Sequence, residues 1–267
     1  MIPFPTCSLL ISTYNWPEAL ELVLESVKRQ TKLPDEVIVA DDGSGNATRE
    51  LIDKMRESFP CPLIHVWHED NGFRLSAIRN KAIAQARGEY ILQIDGDCIL
   101  HENFVVDHLD ASEYGFFVSA GRVLLSEKFS KNLLSSKKIA SLKWYSSGIA
   151  NRMNAIHCDC LRKYLECRIK MDKPQYVKGC NMAFWKKDLL AVNGFNEDIS
   201  GWGREDSEIA VRLSKLGSRR KYLKFGAVQY HLFHKENDRS RDAANIELLN
   251  RVIAGTEFFT PNGIVKN

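Results

Sequence analysis

No stretch of the sequence approaches the roughly 20 apolar residues needed to cross a bilayer. The early run Cys7 to Ile11 is too short for the core of a secretory leader and has no basic segment before it. The expectation is a cytoplasmic, unprocessed chain. Cysteine is scarce and odd in number, seven in 267 residues without an even framework of spacings, which predicts free thiols rather than disulfides. Proline (8) and glycine (16) are too few for collagenous or low-complexity sequence, and no repeat or Pro/Ser-rich linker divides the chain. Charge is close to balanced at +3, so nucleic acid is not an expected partner. What is present, 44% hydrophobic and 27% charged residues, suits one globular unit with a sizeable core.

The charge is unevenly spread. From Arg122 to Lys173 there are twelve Lys or Arg against four Asp or Glu, a local balance of +8 that leaves −5 for the remainder. Residues 128–145 combine five lysines with Leu133, Leu134, Ile139, Leu142, Trp144 and Tyr145. Two readings fit that stretch: a helix covering one side of the domain, or a basic amphipathic segment in peripheral contact with the inner face of an anionic membrane.

The first half alternates short β-rich runs with helical periodicity, as a doubly wound α/β sheet requires. Strands are predicted at Cys7 to Ser12, Val37 to Ala40, Leu63 to Trp67 and Tyr90 to Ile94. Between them, a helix from about Trp16 to Gln30 would be capped by Asn15, a second is marked by Leu51, Ile52, Met55 and Phe59, and a third from Leu75 to Ala86 would close on Gly88. The second half is less regular: strands at Phe116 to Leu125, Val177 to Trp185 and Tyr222 to Phe233, a short helix at Lys186 to Val192, and one at Arg204 to Leu216 stopping at Gly217. Polar clusters recur where strands end, the edge at which open α/β sheets bind ligands.

Three of these clusters carry chemistry. Asp95-Gly96-Asp97 ends a strand, and two like charges so close favour a divalent cation, Mn²⁺ or Mg²⁺, although a solvated turn uses the same residues. Gly201-Trp202-Gly203-Arg204-Glu205-Asp206 opens a helix; dipole complementarity accounts for the acids, but not for the glycine-flanked Trp202 beside them. An aromatic face next to a carboxylate suits a sugar whose hydroxyl loses a proton. In Tyr230-His231-Leu232-Phe233-His234-Lys235, the two histidines diverge if the segment is a strand and converge if a turn follows it. His157, Cys158, Cys160 and Cys167 match no standard zinc spacing.

In this order the pieces resemble a known family. Ser12-Thr13-Tyr14-Asn15, Asp41-Asp42-Gly43-Ser44, Arg79-Asn80 and Asp95-Gly96-Asp97 are similar to a GT-A nucleotide-sugar glycosyltransferase of the large family 2 type, the last being its DXD motif. Gly201 to Asp206 with His231 and His234 resembles the catalytic module of β-1,4-galactosyltransferases and chondroitin polymerases. The resemblance runs from about Cys7 to Lys235. It implies a single Rossmann-like GT-A domain over 1–267, with a mixed, mainly parallel sheet flanked by helices. Within it, 1–110 would be the nucleotide-binding half, 111–240 the acceptor and catalytic half, and 241–267 a C-terminal tail. It further implies a UDP-sugar donor and a glycan or lipid-linked glycan acceptor, as in polysaccharide biosynthesis.

The roles it implies are these. Thr13, Tyr14 and Asp41 or Asp42 hold the uridine with Arg79 near the nucleotide, Asp95 lies toward the ribose, and Asp97 with His234 or, less favoured, His231 holds the metal. Asp206 is the base, Glu205 orients a sugar, and Trp202 with Gly203 forms the acceptor wall. Polar residues 235–242 read as a lid or as an ordinary loop. Two other functions fit some of the residues: a metal-dependent phosphohydrolase or nucleotidyltransferase using the Asp-x-Asp pair, and a non-catalytic sugar-binding protein on the same scaffold.

Overall fold

The computed structural model describes residues 3–139, 142–169, 173–235 and 238–266. Four parallel strands come first, β1 (Cys7–Thr13), β2 (Glu36–Asp41), β3 (Leu63–Trp67) and β4 (Tyr90–Asp95), joined by helices α1 (Pro17–Val27), α2 (Asn46–Arg56) and α3 (Leu75–Gln85). Next are β5 (Cys98–Leu100), α4 (Phe104–Asp110), β6 (Phe116–Ala120), β7 (Val123–Leu125), α5 (Glu127–Ser136) and β8 (Ile149–Ala150). A 3₁₀ turn at Arg152–Ala155 precedes α6 (Asp159–Leu165), β9 (Asn181–Trp185), α7 (Lys186–Ala191), α8 (Glu205–Lys215), β10 (Arg219–Leu223), β11 (Gln229–His231) and α9 (Asp242–Ala254).

The central sheet has seven strands in the order β10-β6-β9-β4-β1-β2-β3 and runs through both halves of the chain. Only β9 is reversed within it, antiparallel to both β4 and β6. A smaller sheet, β5-β11-β7-β8, stands beside it. Alternation along β1 separates two cores: Leu9 and Ile11 pack with Leu20, Val23 and Ile52, while Leu10 packs on the opposite face with Ile78, Ala82, Ile209 and Leu213. Each fully buried Leu or Ile contributes about 1.5–3 kcal/mol of transfer free energy. Helices therefore cover both faces, as the strands' nearly continuous apolar runs require.

Several expectations need correction. Asn15 does not cap α1: it takes a left-handed φ of 46°, and its Oδ1 accepts from Gly45 N at 3.0 Å, tying the first loop to the start of α2. Gly88 is not a left-handed helix end. Ala86, at φ −58° and ψ 137°, ends α3, and Gly88 is required because a Cβ would stand 2.5 Å from Ser8 N. Phe116 to Leu125 is two strands in two sheets, broken at Gly121, and Tyr222 to Phe233 likewise divides into β10 and β11. The tail 241–267 contains α9, a helix of 13 residues.

Within 128–145 the helix stops at Lys137, and residues 140 and 141 lie outside the described ones. Leu133 and Leu142 are buried with Ala19 and Leu22, so part of this segment serves the core, while Trp144 and Tyr145 stay exposed. No helix among the described residues is long and apolar enough to cross a membrane.

Candidate active site

The register of the central sheet sets Thr13 beside Asp41 and Ser12 beside Asp95 at one edge. Gly96 can follow Asp95 because a Cβ there would sit 2.9 Å from Ser12 O. Each aspartate of the Asp41-Asp42 pair has its own histidine. Asp41 Oδ2 is 2.8 Å from His65 Nε2, and its Oδ1 accepts from Ser44 N at 2.8 Å. Asp42 Oδ1 is 2.6 Å from His68 Nε2, and its Oδ2 accepts from Arg74 N at 2.8 Å. Burial pushes both carboxyls up; for Asp41 the bonds to His65 and Ser44 outweigh it and hold the group below its ordinary range, whereas Asp42 stays raised. Tyr14 is half exposed and donates to Asp70 Oδ2 at 2.9 Å. Through His68 and Arg74 this edge adjoins a cleft of about 440 Å³ that Glu69, Asp70, Asn71 and Lys81 also line.

The other carboxylates share a single cation. Arg79 projects from α3 and is 1% exposed, with Phe195 beneath its guanidinium, whose centre lies 5.3 Å from the ring centroid. It donates from Nε to Ser12 Oγ at 3.1 Å, from Nη2 to Asp95 Oδ1 at 3.1 Å and from Nη1 to Asp206 Oδ1 at 3.0 Å, with Glu205 Oε1 at 3.5 Å. The Asp95-Gly96-Asp97 turn and the first turn of α8 therefore meet, the arrangement on which a common site depends. Arg79, expected beside the nucleotide, stands at the centre of this carboxylate group, in contact with Asp95.

Three carboxylates on one guanidinium are under-neutralised, and burial pushes all three up. Glu205 is raised to about 8, by burial first and then by Asp206, and its Oε2 is buried without a hydrogen-bond partner. Its surroundings thus favour the protonated form of Glu205. Asp206 is held on its other side by Gly179, whose N–H bonds to it and whose missing side chain makes the fit: a Cβ would lie 2.0 Å from Asp206 Oδ2. Buried Gln93 donates to Gly179 O at 2.9 Å.

The Asp97 side of the turn faces both histidines. β11 ends at His231 and the chain turns, so the two converge rather than diverge: His231 Nε2 is 3.5 Å and His234 Nε2 is 3.3 Å from Asp97 Oδ2, with rings 5.1 Å apart. Burial pushes His231 down, toward the neutral form that coordinates metals. A buried carboxylate flanked by two imidazole nitrogens, with no Lys or Arg in salt-bridge contact with it among the described residues, is a donor set that suits a divalent cation.

Trp202 lies in a loop of left-handed residues, with Gly201 at φ 72°, Gly203 at 101° and Arg204 at 81°. The loop is fastened by α9. Asn245 Nδ2 donates to Ser200 O and Gly203 O, both at 3.1 Å, and Arg204 Nε pairs with Asp242 at 2.8 Å. Arg239 stacks on Trp202, its guanidinium carbon 4.9 Å from the ring centroid. Of the segment 235–242, residues 236 and 237 lie outside the described ones; Arg239, Arg241 and Asp242 lie against the Trp202 loop.

Sequence reasoning missed His65, His68, Gln93, Gly179 and Asn245. The one available signal was a polar residue in an otherwise apolar strand, as at Gln93 and His65.

Comparison with known proteins agrees with this geometry. Residues 8–162 match the model of glycosyl transferase family 2, and residues 159–236 that described as the N-terminal domain of galactosyltransferase. The chain is 27% identical over 257 residues to a hyaluronan synthase of Pasteurella multocida, covering 90% of this chain and 26% of the synthase, so it spans about a quarter of that relative. Among solved structures, the mannosyltransferase PcManGT from Pyrobaculum calidifontis, in complex with GDP-Man and Mn²⁺, superposes with a TM-score of 0.64 at 18% identity, covering 95% of this chain and 66% of that one. TarS residues 1–349 from S. aureus in complex with UDP gives 0.61 at 18% identity, covering 93% and 64%. These likenesses are of fold, the GT-A arrangement. The family match sets aside a phosphohydrolase.

Proposed function

Because the chain belongs to glycosyl transferase family 2, we propose that it moves a hexose or N-acetylhexosamine, galactose-type by preference, from a UDP donor to a hydroxyl of a glycan or lipid-linked glycan, with a divalent metal and inversion at the anomeric carbon. The observation that carries this reading is the Arg79 bridge, which brings Asp95 and Asp206 into one cluster. The galactosyltransferase match over 159–236 supports the sugar preference, and the hyaluronan synthase relative supports a glycan acceptor.

Asp206 is the base. Its side chain is 21% exposed, one oxygen is anchored by Arg79, and burial raises its proton affinity above that of a free carboxylate, which suits it to take the acceptor hydroxyl's proton. Glu205 favours its protonated form, so the two neighbours divide the work: one accepts, the other hydrogen-bonds and orients a sugar. A single base acting on one face, without a nucleophilic partner, converts an α-linked donor into a β-linked product. Thr13, Tyr14, Asp41 and Asp42 line the uridine end, Asp95 the ribose, and Trp202 with Gly203 the acceptor wall. A divalent ion on Asp97, His231 and His234, Mn²⁺ by preference, would offset the charge gathering on the departing diphosphate.

The test is a panel of UDP-sugars measured for Mn²⁺-dependent binding and transfer, with the product's anomeric configuration read by NMR. A β-linked product formed only with metal supports the reading. An α-linked product, or transfer indifferent to chelator, refutes it.

A further inference from the structure

β5 and β11 run antiparallel in a register that sets His231 directly opposite Cys98. Residues paired in this way project to one face of the sheet, with Cβ atoms about 4.5–5.5 Å apart. The preceding residue, Asp97, is locked to the same place because its carbonyl accepts from Leu232 N at 2.9 Å. Three different donors are thus aimed at one point: the Asp97 carboxylate, a His231 ring nitrogen and Cys98 Sγ lie within 4.8 Å of one another, and all three residues are buried. Cys98 Sγ stands 3.4 Å from Asp97 Oδ1 while the histidines face Oδ2, so the thiol and the imidazoles flank the two oxygens of one carboxylate. Behind it, Cys180 hydrogen-bonds to Cys98 and accepts from Arg122 Nη1 at 3.8 Å, which fixes the second sulfur away from the ligand set.

Oxygen and nitrogen donors are what Mn²⁺ and Mg²⁺ require, and a thiol adds nothing to them. It changes the affinity for softer ions. We propose that Cys98 is a selective ligand of this centre: thiophilic divalent cations such as Zn²⁺, Cd²⁺ and Co²⁺ engage Asp97, Cys98 and His231 together, the thiol proton passing to solvent, whereas Mn²⁺ uses the oxygen and nitrogen donors alone. The proposal rests on the reading of Asp97 as a metal ligand given above. Its consequence is that the identity of the metal sets how much of its shell the protein fills: the thiol takes a position on a thiophilic ion that Mn²⁺ leaves to other oxygen donors.

The full chain, with the exposed or part-exposed Cys158, Cys160 and Cys167 changed to serine, is stripped of metal and titrated with Co²⁺ in the absence of nucleotide. One equivalent should produce sulfur-to-cobalt charge-transfer absorption in the near ultraviolet, lost in Cys98→Ser and in Cys98→Ala. Persistence of the band in either variant overturns the proposal. Where neither variant folds, zinc-edge X-ray absorption of the Zn²⁺-loaded protein decides: one sulfur at about 2.3 Å supports the assignment, and a shell of oxygen and nitrogen only overturns it. Competition between Zn²⁺ and Mn²⁺ gives the selectivity, whose ratio should fall at least about tenfold in Cys98→Ser and must not stay unchanged. Asp97→Asn separates the two levels of inference. If it binds both ions as tightly as its parent, the metal centre itself is wrong; if it loses both while Cys98→Ser keeps the parental Zn²⁺ to Mn²⁺ ratio, only the sulfur ligand is.

Discussion

Two groups of carboxylates occupy the same sheet edge and are partnered in opposite ways. Asp41 and Asp42 each have a private histidine and a backbone N–H, a one-to-one match that leaves both oxygens of each carboxyl hydrogen-bonded in a firm wall. Asp95, Glu205 and Asp206 divide one guanidinium among three, and all three have raised proton affinity, whereas in the matched pair Asp42 is raised and Asp41 is held low. The difference teaches where chemistry can reside: a satisfied pair holds shape, while an under-neutralised group has capacity left to take or keep a proton.

The comparison can be broken or sharpened by experiment. The largest effect should come from Asp206→Asn, which keeps the shape but not the basicity: transfer should fall by about 10²–10⁴-fold while UDP affinity measured by calorimetry stays close to the parent's. Comparable turnover would remove Asp206 from its role. Arg79→Met strands buried Glu205 and part-buried Asp95 and Asp206, and chemical denaturation should show a loss of about 3 kcal/mol. That loss should be greater near pH 8 than near pH 5, where protonation relieves the repulsion; equal losses would mean that the cluster is not charge-limited. Gly179→Ala drives a methyl into Asp206 and should cost about 1–3 kcal/mol, with turnover reduced more than UDP binding.

Smaller effects follow from the proton on Glu205. Its affinity in the fold is raised to about 8 from 4.5, so the stability attached to the bound proton is full below about 4.5 and is lost as pH rises through about 8. Thermal melts should therefore decline across that window in the parent and flatten in Glu205→Gln, which should be the more stable near pH 8 by about 2–4 °C for each kcal/mol relieved. The smallest change is expected on the matched side: His68→Ala leaves Asp42 with one partner and should cost about 1–2 kcal/mol, raising the KM for the nucleotide sugar more than it lowers kcat.

The strands β1 to β4 were legible because burial on both faces writes itself as apolar runs, and the carboxylates were legible because they follow those runs immediately. What escaped was everything set by close approach in three dimensions. Gly88 and Gly179 look like turn residues in the sequence, yet both exist to let another chain segment come near. Asn15 has the composition of a helix cap, and a competing bond to Gly45 claims its side chain. The break at Gly121 was hidden because β6 and β7 are both apolar, so composition cannot tell one long strand from two in different sheets. Arg79 was noticed, but that a single guanidinium would collect groups from β4 and α8 is a fact of topology, which local pattern does not encode.

The reversed strand β9 has a consequence for how such a molecule can change. Since it runs against its neighbours, its beginning rather than its end reaches the reactive edge, delivering Gly179 to Asp206. The excursion from β7 to β9 is consequently pinned at both ends by sheet pairing, and most of the surplus positive charge of the chain resides inside it. Its inner side is committed to the fold, with Leu133, Leu142 and Arg162 buried and Ser207, next to Asp206, donating to Gln175 O at 2.6 Å, so only its exposed positions, Trp144 and Tyr145 among them, are open to change without reaching the carboxylate cluster.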